Sequence, residues 1–290
     1  MRRSIISVGL AAVFVLIWPA SALASTAPGL GTAGSFAILA GTPSITNTGP
    51  SVISGSVGIF PAASIIGFPP CTAPCATVTN GTVQAGTPAV GTAKSDLTTA
   101  YGVAASSPCN FNESNRNLGT QTLTPGTYCQ TTAPTLTGVL TLSGNGVFIF
   151  QIGSTLITAP GASVVLINGA QPCNVFWQVS SSATLDTTTS FVGTIMALTD
   201  VHMNNGVTLQ GRALARNGTA TFINDTITAP TVCNAPTVAG PTTTVVLPGS
   251  TGIPLEMRGE FPWLLLLGFG AGAAAVVMGL SSRRRRRRNA

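Results

Sequence analysis

The sequence predicts an all-β domain of stacked coils, a triangular parallel β-solenoid, with one long α-helix beside it. Between Pro28 and Val232 the chain consists of short runs of Val, Ile, Leu, Phe and Thr broken by Gly, Asn, Ser and Pro, the texture of strands and turns. One such run, Phe148-Ile149-Phe150-Gln151-Ile152, returns 27 residues later as Val175-Phe176-Trp177-Gln178-Val179. A single stretch departs from this texture: Val90, Ala93, Leu97, Ala100, Tyr101 and Ala104 recur every three or four residues and mark one apolar helical face.

Taken in order, residues 1–24 read as a secretory signal. Arg2 and Arg3 form its charged start, Ile5 to Trp18 its apolar core and Ala22-Leu23-Ala24 its cleavage site. That core is shorter than the roughly 20 residues a bilayer crossing needs, which argues against a retained first helix. Residues 28–232 form the domain, long enough for one sizeable core. Within it, Thr87 and Pro88 supply an N-cap and first turn for a helix over about 88–106, ending near Ser106-Ser107-Pro108. Its apolar face is expected along one flank of the solenoid.

The recurrence defines the coils. Ser154 to Thr158 answers to Ala183 to Thr187, and Val164 to Ile167 answers to Val192 to Met196, so each period holds three short strands, as one turn of a triangular solenoid requires. A further coil runs through Val207 to Leu209 and Arg212 to Ala215 into Thr221 to Asn224, and an earlier one includes Leu136 to Ile149. Stacking buries inward apolar side chains and pairs each backbone donor and acceptor with the next coil. Asn and Gly are expected at the corners, where left-handed backbone is needed.

Only 7% of the 290 residues are charged, against about 25% in an average soluble domain. The net charge of +6 is concentrated at the ends: without Arg2, Arg3 and Arg283 to Arg288, five cations face seven acids. This excludes a nucleic-acid partner, which needs a basic surface on the domain itself. Residues 233–260 form a linker rich in Pro, Gly and Thr, and 261–280 are expected to cross the membrane as a helix with Trp263 at its interface. The arginines in 281–290 would keep that end cytoplasmic and leave the domain outside. The tail also resembles the sorting signals of bacterial surface proteins. Its Leu247-Pro248-Gly249-Ser250-Thr251-Gly252 has one residue more than the L-P-x-T-G motif, so permanent membrane anchoring stands beside cell-wall attachment.

An exported domain with Cys71, Cys75, Cys109, Cys129, Cys173 and Cys233 is expected to carry disulfides. Of the fifteen pairings, Cys71 with Cys75, Cys109 with Cys129 and Cys173 with Cys233 are favoured. No metal or cofactor is expected, since His202 is the single histidine and the cysteine spacings match no pair of ligand hairpins. Nor is catalysis: Asp96, Glu113, Asp186, Asp200 and Asp225 are scattered, and His202 has no serine or cysteine elbow around it. Asp200 and His202 stand at the spacing of one strand face, beside the turn Asn204-Asn205-Gly206.

Several segments, in this order, are similar to the microbial ice-binding protein family, the DUF3494 domain. They are Leu30 to Gly41, Ile53 to Gly58, the helix with Ala93 to Leu97 and Ala100-Tyr101, Leu123 to Tyr128, Val147 to Ile152, Val175 to Val179 and Gly211 to Ala215. The resemblance implies a discontinuous right-handed solenoid whose N-terminal coil sits out of sequence order at one end. It also implies a non-enzymatic protein whose partner is the ice crystal surface, met by a flat Thr-rich face with T-A/G-x-T/N motifs. The comparable positions are Thr155 to Thr158, Thr184 to Thr187 and Thr221 to Asn224, making Thr155, Thr158, Thr184, Thr187, Thr221 and Asn224 the candidate ice-contacting residues.

Threonine suits such a face because it joins a hydroxyl to a methyl group on a rotamer-restricted side chain, and strands about 4.7 Å apart repeat it near the spacing of the ice lattice. Here Leu156, Leu185 and Phe222 stand where the motif has Ala or Gly, and turning them inward sends Ile157, Asp186 and Ile223 outward. The function implied is a cell-surface-anchored ice-binding protein. The alternative is a non-catalytic adhesin or structural domain on the same scaffold, with a cell-surface or polysaccharide ligand.

Overall fold

A computed structural model describes residues 25–231 apart from Ala73, Ser114 and Asn115. The expected signal, linker, membrane helix and basic tail, together with Cys233, lie outside the described residues. Among the latter, no helix is long and apolar enough to cross a membrane.

The chain visits three faces per coil. One coil runs Phe148–Ile152, Leu156–Thr158, Ser163–Ile167, and the next Val175–Val179, Ala183–Leu185, Ser190–Ala197. Each strand pairs in parallel with its counterpart, Phe148 with Val175, Leu156 with Ala183 and Ser163 with Ser190, keeping the 27-residue offset throughout. The following coils are shorter, because Ser190–Ala197 and Thr208–Ala215 pass through a corner as unbroken strands. Ser190 to Val192 pair with Thr208 to Gln210 on the third face, while Thr194 to Ala197 already lie on the first, level with Phe176 to Val179. Val192 to Met196 is therefore not a third-face repeat of Val164 to Ile167 as the sequence predicts; it spans two faces. The bend falls at Gly193 and Gly211, where a side chain on Gly211 would run into the Gly193 carbonyl.

The stacking is discontinuous in sequence. Ile38 pairs with Ala213, Thr46 with Thr221 and Ile53 with Ile227, so Phe36–Ala40, Ser44–Thr48 and Val52–Ser54 form the coil after Thr226–Thr228. A second N-terminal coil, Ser56–Ile59, Ser64–Ile66 and Thr77–Thr79, stacks beyond it. Arg212, buried at this joint, donates to the carbonyls of Gly34 and Pro230 at 2.9 Å each.

The chain must then return to the far end, where Phe111 pairs with Tyr128. Helix α1, Pro88–Ser106, makes the return along the first face; its 19 residues reach about 28 Å, roughly six strand spacings. The six residues whose spacing predicts the helix are the six it buries, and they pack on Leu39, Leu214, Met196, Phe176 and Ile149, which point outward from that face. The Thr87 hydroxyl accepts from the Val90 N–H. Gln151 donates to the last-turn carbonyl of Ala104 at 2.8 Å, and Lys94 to the carbonyl of Ala215 at 2.7 Å. Inside the coils, Tyr128, Phe150, Trp177 and Phe191 form one aromatic column, which the exposed Phe111 ring extends at the end of the stack.

The corner between the second and third faces is built alike in successive coils. Gly161, Thr188, Gly206, Asn224 and Gly49 all take positive φ there, Thr188 at 56° and Asn224 at 53°. A β-branched residue is strained in this region, whereas Asn tolerates it. We expect Thr188→Asn to raise stability by about 1 kcal/mol in thermal or denaturant unfolding.

Just past this corner Asp225 is buried, and its carboxylate accepts from the Val207 N–H at 2.8 Å and the Ile223 N–H at 2.9 Å. Burial pushes its pKa up to about 7 against the downward pull of those donors. The unfolded carboxyl titrates near about 4, so between these values the folded chain holds a proton that the unfolded chain has released. Stability therefore falls as pH rises through that window. Unfolding midpoints measured across it should show this slope, and Asp225→Asn should remove it.

Candidate functional site

With the first face covered by α1, the second face carries Thr155, Thr184 and Thr221 of the predicted residues. It is one seven-stranded sheet whose register sets its outward columns. In the central column Thr135 is level with Ile157, Ile157 with Thr184 and Thr184 with His202. The column continues through Thr221 and Thr46 to Ile66. On one side of it stand Thr155, Ser182, Asp200, Thr219 and Ser44; on the other, Asp186, Asn204, Ile223 and Thr48.

The predicted residues do not form the regular sets expected. Thr184 and Thr221 share the central column, and Thr155 faces outward two positions away from it. The reason is turn length: three residues separate Ile152 from Leu156 and three separate Val179 from Ala183, so the offset stays 27 and Thr184 falls level with Ile157, not Thr155. Thr158 is 1% exposed and points into the coil. Its hydroxyl lies 2.9 Å from that of Thr189 and accepts from the Asp186 N–H at 2.8 Å. It is a corner residue and meets no surface ligand. Thr187 lies in the turn beyond the sheet, its N–H donating to the Asp186 carboxylate at 2.7 Å. Asn224 occupies the left-handed corner, its amide donating to Asn205 at 2.7 Å.

Leu156, Leu185 and Phe222 are buried, while Ile157 and Ile223 are 48% and 38% exposed, so the motif's small second residue has no counterpart on this surface. Thr135, Thr46, Ser44, Thr219 and His202 also belong to the face. Counting on from the Phe148–Val175 repeat locates Ile157 opposite Thr184, but the shorter later coils hide His202 and the N-terminal strands.

The face carries polar clusters as well as threonine. His202 Nδ1 is 2.8 Å from the Thr221 hydroxyl. Asp200 accepts from the Thr219 N–H at 2.7 Å and lies 3.3 Å from the Ser182 hydroxyl. The Asn204 amide and the Thr187 N–H hold the Asp186 carboxyl below its usual range. These groups are engaged in bracing strands and corners, and among the described residues no group of three ligands is placed to hold a metal. Cys71 pairs with Cys75 and Cys109 with Cys129, the latter tying the exit of α1 to the strand Gly126–Gln130; Cys173 is also disulfide-bonded.

Because Thr158 braces a corner, Thr158→Val should leave the Asp186 N–H without its acceptor and lower stability by about 1–3 kcal/mol in chemical unfolding.

Comparison with known proteins bears on what the face meets. The Ice-binding-like family model matches residues 38–228. An ice-binding protein of Nostoc sp. is 46% identical over 198 residues, covering 67% of this chain and 71% of that protein. One from Flavobacterium frigoris is 33% identical over 213 residues, covering 69% and 76%. The crystal structure of an ice-binding protein from an Antarctic biological consortium superposes with a TM-score of 0.67 at 42% identity, covering 73% of this chain and 95% of that one. A mostly β fold of parallel sheets with one helix, shared with these structures, and a match spanning nearly the whole described domain place this chain in the Ice-binding-like family, whose members are not enzymes.

Proposed function

We propose that the protein binds ice, adsorbing through the second face of the solenoid. The observation that carries this reading is the central column, where Thr184, Thr221 and Thr46 take equivalent outward positions on a rigid parallel sheet, in a chain whose relatives are named ice-binding proteins. The column repeats at about 4.7–4.9 Å per strand, and the fixed rotamers of threonine keep hydroxyl and methyl groups in one plane. Adsorbed molecules pin the ice front, which then advances only by curving between them. The coils are taken as right-handed, the sense strongly preferred for parallel β connections.

The cellular setting belongs to the same proposal. Arg2, Arg3 and the apolar run after them direct export, residues 261–280 cross the membrane, and Arg283 to Arg288 hold the tail in the cytoplasm. The linker of 233–260 then holds the domain away from the cell surface.

A second reading rests on a specific observation: Asp186, Asp200 and His202 interrupt the threonine face with polar groups suited to a carbohydrate or protein ligand, as an adhesin would use. Ice-affinity partitioning and thermal hysteresis separate the two. We expect the wild-type protein to enter ice, and Thr184→Tyr with Thr221→Tyr to reduce hysteresis at least about tenfold by breaking the plane of the central hot spot. A folded wild type excluded from ice would leave the adhesin reading.

A further inference from the structure

We propose that the third face of the solenoid is a second ice-adsorbing surface, adjoining the one proposed above and resting on the same ice-binding reading. Its register is unbroken across the joint between the C-terminal and N-terminal coils. Ser163 is level with Ser190, Ser190 with Thr208 and Thr208 with Thr226; the column continues through Val52 to Thr77. Beside it, Gln210, Thr228, Ser54 and Thr79 form a parallel column two residues along each strand. The residues between the columns, including Leu209, Ile227 and Ile53, are fully buried and fix the strands from beneath.

Three features set this surface apart from the second face. First, neither column contains a charged residue or a histidine, whereas the second face carries Asp186, Asp200 and His202. Second, Ser190, Thr208, Thr226, Val52 and Thr77 are all exposed, while Thr184, His202, Thr221 and Thr46 are only half-exposed. Third, the hydroxyls of Ser190, Thr208, Thr226, Thr228 and Thr77 make no hydrogen bond to other described residues, so all are available to water. On the second face the Thr221 hydroxyl is engaged by His202 at 2.8 Å.

The ligand chemistry follows from the lattice. Outward side chains repeat about 4.7–4.9 Å apart between strands and about 6.6–6.8 Å apart along each strand, and all but Val52 and Gln210 present a hydroxyl. Neither column carries a charge to recruit a counter-ion; a recess lined by Gly55, Asn80, Arg212 and Pro230 borders the second column at Ser54. A surface that is neutral and two-dimensionally periodic matches ordered water better than a polymer of irregular shape. Two such faces meeting at the corner of Thr188, Gly206 and Asn224 would engage two non-parallel planes of one crystal.

The test is thermal hysteresis and ice-plane labelling on the full-length protein, with Thr208→Tyr and Thr226→Tyr together, and separately the single exposed change Thr226→Glu. We expect each to keep the wild-type circular dichroism and melting point, to lower hysteresis at least about twofold through the loss of one of two engaged faces, and to remove a subset of the labelled planes. Wild-type hysteresis and planes in both variants, alongside loss in the Thr184→Tyr, Thr221→Tyr protein, would overturn this inference and leave the second-face reading intact. Exclusion of the folded wild type from ice would overturn both. Should the double variant unfold, Thr226→Glu decides alone.

Discussion

In-register parallel pairing between coils governs where every side chain of this protein points. A strand that pairs residue for residue with the strands above and below cannot change its inward and outward sets without exposing its core positions. Leu209, Ile227 and Ile53 are therefore interior because their neighbours are, and Thr208, Thr226 and Val52 are exterior for the same reason. The rule also governs the corners. Each coil must turn by the same angle at the same level, so a left-handed residue recurs there, supplied by Gly206 or Gly49 in some coils and by Thr188 or Asn224 in others. Thr188 bears strain because the stack leaves it no other backbone conformation.

Discontinuity of the stack explains the helix. Two N-terminal coils dock on the C-terminal one, so the chain arrives at one end of the solenoid and must resume at the other. α1 bridges that distance, and the first face is apolar on its outside to receive it: Leu39, Leu214, Met196, Phe176 and Ile149 would otherwise form an exposed hydrophobic stripe. Gln151 and Gln178, the shared residues of the two repeated runs, reach from this face to α1, Gln151 to the Ala104 carbonyl and Gln178 to the Tyr101 hydroxyl. The helix thereby occupies one face of three, and among the described residues neither of the other two is covered by a helix.

The repeated run and the helix were legible because both rest on local periodicity. Phe148 to Ile152 and Val175 to Val179 are adjacent strands with the offset read from the sequence, and Val90 to Ala104 form the buried side of α1. The threonine sites were less legible. Threonine is a good strand former, a surface residue and a corner plug, and its letter alone does not separate Thr184 from Thr158. What separates them is parity along the strand, which the aromatic repeat sets and the threonines do not. The change from 27-residue to shorter coils was hidden for a related reason. Ser190–Ala197 and Thr208–Ala215 turn a corner within one strand, at Gly193 and Gly211, so no turn signal in the sequence marks the passage.

Scarcity of charge is tied to the same architecture. Asp225 accepts from the Val207 and Ile223 N–H groups, Asp200 from that of Thr219, Asp186 from that of Thr187 and Asp96 from that of Thr32. Each acid satisfies backbone donors where the regular ladder lapses, at a corner or, for Asp96, at the junction of α1 with the N-terminal turn. Such donors are few in a solenoid, because most of its backbone is paired with the coils above and below. These four carboxylates, with Glu113 paired instead to Arg116, leave the third-face columns neutral. On the second face Asp186 and Asp200 still reach the surface beside the threonines. On the third, the carboxylate at the adjoining corner, Asp225, is turned inward and buried, and this difference in the direction of one side chain leaves Thr208 and Thr226 on an uncharged plane.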